Sequence, residues 1–346
     1  MIGSNRNNVT YKLRLSGVTY DEPGIVIGYD VESTQDVIIP LRELEKHVLI
    51  VGATGSGKTT TAATLALRIA LRGHKVLILD WYGEYGRLLH RYAITLRPEN
   101  TIISLPSDID DLVSILEEVL QLTPPQTYIL QRVLEESKDV TNLKELLALI
   151  ESSETEARWV IESKYALLRK LRPLTSASFI SIGNPNVINS LFRDGKVIVI
   201  DLSRLRNTIV KKLSVIALLK VIEYGMSLTT SNERVYIIIE EVHNVLGVGA
   251  SLLERMISEV RKLGVSLILI TQSPSILGYR IITNANVRIV HSLKFRDDIV
   301  LMCKSLGVND ECYNMLPRLR TGEALLDYSS LSRPLRVKVL PPKDII

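Results

Sequence analysis

The chain has 346 residues, 46% of them hydrophobic, which is enough to bury a large core and fits one large domain with additions rather than a disordered polypeptide. Its net charge of +4 is too small to require an acidic partner, although it permits one. Two cysteines, Cys303 and Cys312, with no CxxC pair and no neighbouring His cluster, argue against a Cys/His metal site and read as reduced or buried thiols of an intracellular protein. No apolar run approaches the roughly 18 residues of a membrane span, and the start MIGSNRNNVTYKLRL lacks a secretory apolar region, so a cytoplasmic protein without membrane contact is expected.

Residues 1–45 alternate apolar and polar positions, as in Val9–Leu15 and Gly24–Gly28, with turn residues at Asp21–Gly24 and Glu32–Asp36. Period two with turn punctuation predicts a small β element ahead of the main domain. From residue 46 to 346 the pattern is different. Short continuous runs of Val, Ile and Leu, each followed by a helical stretch, read as strands of a parallel sheet covered on both faces. These runs are His47–Val51, Lys75–Asp80, Lys196–Asp201, Val235–Glu240, Val265–Thr271 and Val287–Leu293. The fold class is therefore α/β with a mostly parallel sheet.

Between the second and third runs, about residues 109–174, helical spacing predicts an insertion on the sheet. Asp110–Leu122 places Leu112, Ile115, Leu116, Val119 and Leu120 on one face, and Pro124 with Pro125 opens the next helix. The basic end, Lys164–Arg172, reads as a solvated helix face or as a nucleic-acid contact. Beyond Ser292 a helix is expected over Asp297–Leu306, an irregular stretch over Asn314–Gly322, and strands over Glu323–Asp327 and Leu335–Leu340.

Gly52, Ala53, Thr54, Gly55, Ser56, Gly57, Lys58 and Thr59 fit G-x-x-x-x-G-K-[ST], behind an apolar strand and ahead of a helix that continues from Thr60 to Leu71. Glycines there let backbone N–H groups turn inward around phosphate. The helix start adds its positive dipole end, Lys58 can reach the β and γ phosphates, and Thr59 can hold Mg²⁺ through its hydroxyl. A nucleoside triphosphate is the expected ligand. Val235–Ile239 then delivers Glu240 and Glu241 to a strand end, where alternation splits their roles: Glu240 near the metal, Glu241 polarising the attacking water.

One strand later, Gln272 follows Thr271, as a sensor of the γ-phosphate or water or as a structural cap of the strand. Arg261 and Lys262 end a predicted helix, Ser251–Leu263. Their charge suits the helix dipole, or Arg261 completes a neighbouring subunit's site. Asp80 and Glu84 close the second strand near the phosphates, and at the third strand's end Asp201 or Ser203 reads as a helix cap.

These pieces together resemble the HerA–FtsK superfamily of ring-shaped P-loop motors, and within it the HerA-like ATPases. The resemblance rests on His47, GATGSGKTT at 52–60, DWYGEY at 80–85, Glu240-Glu241-Val242-His243, Arg261-Lys262-Leu263-Gly264 and Thr271-Gln272-Ser273-Pro274-Ser275, in family order. It implies a RecA-like additional-strand core, ATP and Mg²⁺ between the subunits of a homo-hexamer, and translocation of double-stranded DNA in DNA end processing and repair. A nuclease of the NurA type is the implied partner. By position, the phosphate loop through Thr60 binds nucleotide, Lys58, Glu241 and Gln272 act in hydrolysis, Thr59 and Glu240 serve the metal, and Arg261 acts across the subunit interface. HerA proteins carry a full β-barrel before the motor, and 45 residues are a fraction of one, so a shortened relative is expected. A DNA-packaging or conjugation ATPase, or an ATP-dependent assembly switch that does not move on DNA, shares the same motifs.

Overall fold

A computed structural model of the chain describes residues 13–15, 18–20, 23–98, 103–137, 140–154, 157–183, 196–227, 234–308 and 310–344. The strands are β1 (Leu13–Leu15), β2 (Val18–Tyr20), β3 (Gly24–Asp30), β4 (Asp36–Pro40), β5 (Val48–Val51), β6 (Lys75–Asp80), β7 (Ala93–Leu96), β8 (Ile103–Leu105), β9 (Ile180–Ile182), β10 (Val197–Asp201), β11 (Val235–Ile239), β12 (Val265–Thr271), β13 (Val287–Val290), β14 (Glu323–Asp327) and β15 (Leu335–Val339). The helices are α1 (Leu41–Leu44), α2 (Lys58–Leu71), α3 (Tyr85–Leu89), α4 (Ile109–Leu120), α5 (Pro124–Glu136), α6 (Leu143–Ser152), α7 (Arg158–Leu171), α8 (Thr208–Ser227), α9 (His243–Glu259), α10 (Tyr279–Asn284), α11 (Arg296–Ser305) and α12 (Asp310–Met315).

One sheet of 11 strands organises the chain, in the order β4-β3-β15-β14-β13-β5-β12-β11-β6-β10-β7. From β13 to β7 all neighbours are parallel, and from β13 back to β4 all are antiparallel. β12 lies between β5 and β11, the additional-strand arrangement that the family resemblance implies. Continuous apolar runs follow from burial on both faces. Leu49, Val51, Ile237 and Ile239 enter one core cluster, and Val48, Ile50, Tyr236 and Ile238 enter the other. β3 and β4 extend the same sheet through the β15–β3 pair.

α2 lies close on its side of the sheet because Ala62, Ala63, Ala66 and Ala70, all buried, leave room for the strands beneath it. It stops at Gly73, whose φ of 86° lets its N–H reach Ala70 O while His74 N–H reaches Ile69 O. Between β8 and β9, α4–α7 form the helical layer placed at residues 109–174 by their spacing. Asp108 caps α4 by accepting from Asp111 N–H, and Thr123 with Gln126 forms a capping box on α5. Three of the cations at the end of α7 bond within the layer, while Arg169 is exposed. Lys164 Nζ donates to the carbonyls of Glu151 and Ser153, Lys170 Nζ to Gln121 O and Gln126 Oε1, and Arg172 pairs with Glu151 at 2.8 Å.

Three expectations need correction. Cys303 and Cys312 are not free thiols: they form a disulfide between α11 and α12. The chain reverses at Gly307, φ 65°, and this brings their Cα atoms to 5.8 Å, inside disulfide range. The helix predicted over Ser251–Leu263 starts earlier, at His243, and gives way at Val260–Leu263 to a tighter 3₁₀ turn that carries Arg261. The strand predicted to run to Leu293 ends at Val290, since His291 and Ser292 turn under the phosphate loop. Among the described residues no helix is long and apolar enough to cross a membrane.

Two histidines are built into the core as neutral rings with fixed tautomers. Leu267 N–H donates to His47 Nδ1 at 3.0 Å, so Nε2–H of that ring donates to Ile257 O, also at 3.0 Å. His291 Nδ1–H donates to Glu323 O and its Nε2 accepts from the Thr61 hydroxyl. Burial pushes both rings down to about 4. An unfolded histidine takes its proton near 6.5, so the stability that each neutral ring supports is present above 6.5 and is lost as pH falls towards 4. The stability advantage of wild type over His47→Gln is therefore expected to shrink by about 3 kcal/mol between pH 7 and pH 4. Urea unfolding of both proteins at several pH values measures it, and a pH-independent difference contradicts the assignment.

Candidate active site

The parallel strands end together at one edge of the sheet, where ligands of open α/β folds collect. β5 runs into the phosphate loop and α2 begins at Lys58, with Gly57 as its N-cap at φ 115°. Glycine is required at both ends of this loop. A Cβ on Gly52 would stand 2.6 Å from the Cβ of His291, and one on Gly57 would stand 3.0 Å from Gly322 N. The loop is braced from beneath. Ala53 N–H donates to Ser292 O at 2.7 Å, and Gly322 N–H donates to Ser56 O at 2.8 Å. Lys58 Nζ donates to Ala53 O at 3.1 Å, and burial pulls its ammonium down from the usual lysine range against the opposing pull of Glu241, Glu240 and Glu84. Thr54 and Gly55 are exposed at the loop tip, while Thr59 and Thr60 are half-buried in the first turn of α2.

At the end of β11, Glu240 and Glu241 are each 4% exposed. Glu240 Oε2 accepts from Trp81 N–H at 2.9 Å and from Tyr82 N–H at 3.3 Å. Its neighbour Asp80 accepts from the backbone N–H groups of Tyr82, Gly83, Glu84 and Tyr85. Burial, reinforced by the Asp80 charge and hydrogen bond, pushes Glu240 up to about 8. Asp80 also has its pKa raised by burial, but its backbone donors favour the charged form, so Glu240 is the member of the pair that holds the proton at neutral pH.

Glu241 has a different setting. Its φ of 48° is left-handed, a conformation that costs a side chain of this size and that concentrates at functional sites. Gln272 Nε2 donates to Glu241 Oε1 at 2.5 Å, and the Thr54 hydroxyl donates to Gln272 Oε1 at 2.8 Å. A single amide at the end of β12 thus joins the phosphate loop to the carboxylate. Glu241 Oε2 is buried and accepts no hydrogen bond among the described residues, although His243 Nδ1 lies 3.1 Å away, where a protonated ring would pair with it. The same ring nitrogen lies 3.2 Å from Thr271 Oγ1.

Arg261 is not brought to this place. It is exposed at the opposite end of β12 from Gln272, about 20 Å along a strand rising roughly 3.3 Å per residue. There it lines a cavity of about 450 Å³ with Lys46, His47, Asn286 and Arg288. Its own phosphate loop is out of its reach. Asp201 accepts from the N–H and hydroxyl of Ser203 and closes the turn after β10, while Asn207 caps α8 through Ile209 N–H.

The family model described as "Helicase HerA, central domain" matches residues 25–222. The chain belongs to this family. Among its relatives are the DNA double-strand break repair helicases HerA of Sulfolobus acidocaldarius, 26% identical over 90% of this chain and 68% of that protein, and of Sulfurisphaera tokodaii, 27% identical over 92% and 70%. The fold is shared with VirB4 of Thermoanaerobacter pseudethanolicus, at a TM-score of 0.74 and 19% identity over 93% of this chain and 98% of that one. It is shared also with the plasmid coupling protein TrwB in complex with ADP and Mg²⁺, at a TM-score of 0.69 and 16% identity over 88% of each chain.

The residues of this HerA-family chain fit a nucleoside triphosphate and its magnesium ion. The left-handed glycines open the loop backbone, Lys58 donates to a loop carbonyl that it can leave, and the buried Oε2 of Glu241, which accepts no hydrogen bond among the described residues, is an acceptor for a donor. Among the described residues no group of three or more His, Cys, Asp or Glu side chains could cage a metal. Sequence reasoning missed His291 and the turn at Thr321 and Gly322, which support the loop. His291 had one visible signal, a histidine inside an apolar run, and the turn lies at the end of the stretch expected to be irregular, with nothing local to tie it to the loop. A Gly57→Ala substitution is expected to lower ATP affinity tenfold or more, from about 1–3 kcal/mol of backbone strain plus the collision with Gly322. Equilibrium binding of a fluorescent ATP analogue reads this directly, and unchanged affinity counts against the loop geometry.

Proposed function

We propose that this ATP-hydrolysing enzyme is a motor which couples hydrolysis to movement along double-stranded DNA as a cytoplasmic homo-hexameric ring, with a nuclease of NurA type as its candidate partner in DNA end processing. The supporting observation is the bridge from Thr54 through Gln272 to Glu241, because it ties the carboxylate suited to activating water to the loop suited to holding the triphosphate. The relatives named as DNA break repair helicases support the choice of DNA as track.

In this reading the loop N–H groups and Lys58 bind the β and γ phosphates, with the ammonium moving from Ala53 O to phosphate oxygen. Thr59, with Glu240 in the outer surroundings, would hold a magnesium ion, which would supply charge neutralisation on the phosphates. Gln272 orients Glu241, whose Oε2 accepts a proton from the attacking water. The water oxygen bonds the γ-phosphorus, the bond to ADP breaks, and ADP and phosphate leave. Arg261, far from its own loop, is assigned to a neighbouring subunit's site.

Glu241→Gln is expected to reduce turnover at least about 100-fold while ATP affinity stays within a few-fold of wild type. Duplex DNA is expected to stimulate the wild-type ATPase in steady-state assays. If DNA of any form leaves the rate unchanged, the DNA motor reading falls and an assembly switch takes its place.

A further inference from the structure

The phosphate loop has two flanks with different furniture. On the β12 side stand Gln272 and Glu241, which mark the end where the γ-phosphate is cut. On the β13 side, the turn that enters β14 lies against the loop. Gly322 N–H donates to Ser56 O at 2.8 Å and the Thr321 hydroxyl donates to Gly55 O at 3.3 Å. The missing Cβ of Gly57 is what lets Gly322 approach, since it would stand 3.0 Å from Gly322 N and 3.1 Å from Gly322 Cα.

This turn is held on every side. Glu323, 5% exposed, accepts from Arg320 N–H at 3.1 Å and from Arg336 Nη2 at 2.8 Å, and the ring of His291 donates to its carbonyl. Lys338 Nζ donates to Thr321 O at 2.7 Å, and Val339 N–H donates to Gly322 O at 2.9 Å. The Arg320 side chain takes no part in these bonds. It is exposed, and its guanidinium makes no hydrogen bond or ion pair among the described residues, since Arg336 already serves Glu323. A rigid turn thus presents a planar cation, felt by Glu323 through its charge but not hydrogen-bonded among the described residues, one residue from a hydroxyl bonded to the phosphate loop. Guanidinium suits bidentate binding of phosphate oxygens and stacking on a planar ring.

Resting on the ATPase reading of the site, we propose that the turn Arg320–Gly322 is the second wall of the nucleotide pocket and that Arg320 binds the nucleoside diphosphate portion of the bound nucleotide within its own subunit. The flank decides which portion: the cleavage residues occupy the other side of the loop. Arg320 therefore contributes to ADP and ATP binding alike and not to the cleavage step.

The test is titration of the full-length chain with methylanthraniloyl-ADP and with a non-hydrolysable ATP analogue, for wild type, Arg320→Ala, Arg320→Lys and Arg318→Ala. Arg320→Ala is expected to weaken both ligands by a similar factor, about tenfold or more for a lost charged hydrogen bond, with kcat at saturating ATP retained. Arg320→Lys is expected to recover part of the loss, Arg318→Ala, exposed in the same segment, to behave as wild type, and the unfolding midpoint without nucleotide to stay put. Unchanged ADP affinity in Arg320→Ala overturns the proposal, as does a loss confined to the ATP analogue, which would move Arg320 to the γ-phosphate. A lowered unfolding midpoint without nucleotide overturns it in favour of a structural role. Wild type that binds neither ligand refutes the ATPase reading itself, and the proposal with it.

Discussion

One side-chain amide connects the two halves of the site. Gln272 takes the Thr54 hydroxyl on its oxygen and gives a hydrogen to Glu241, so the phosphate loop and the carboxylate share a single rigid linker. The linker exists only because β12 lies between β5 and β11 in a fixed register. Thr271 pairs with Val51 and Leu269 pairs with Ile239, which sets Glu241, Thr271 and Val51 at one level across three strands. A slip of one residue in either pair would turn the Gln272 side chain to the other face of the sheet. Register is secured by the core on both faces, so the chemistry at the edge depends on apolar packing far below it.

The chain departs from local ease at both ends of these strands. Glu241 at the catalytic edge and His47 at the opposite one, just before β5, are left-handed residues with bulky side chains, at φ 48° and 69°. Each is held by the surrounding structure: His47 through two buried backbone partners, Glu241 through Gln272. Asp80 and Glu240 add a carboxyl pair whose shared proton limits the negative charge facing Lys58 of the loop, and backbone donors from Trp81–Tyr85 fix both members. Strain and buried charge of this kind persist where the rest of the fold over-determines them.

The parallel strands were legible because burial on both faces writes them as continuous apolar runs, and the phosphate loop was legible because its glycines, lysine and threonine are consecutive. Glu240 and Glu241 were visible as a pair, yet their different environments depend on Asp80, 160 residues away in sequence, and on a strand order no local pattern states. Arg261 was readable as the end of a helical stretch, while its distance from its own phosphate loop is a property of topology. The Cys303–Cys312 bond turned on a reversal at Gly307, and the support of the loop by His291 and Gly322 on the return of the C-terminal strands to the sheet. The disulfide spans nine residues, but the loop supports join segments far apart in sequence, and neighbouring residues do not say which partners they will meet.

A double-mutant cycle between Thr54→Val and Gln272→Ala, read as the single-turnover rate of ATP hydrolysis, tests most directly whether the amide linker couples loop to carboxylate. A shared linker makes the two substitutions non-additive, with a coupling energy of about 1 kcal/mol or more, because either one alone breaks the same connection. Strictly additive losses would show that Thr54 and Gln272 act independently, and that the site is not organised by the bridge between them.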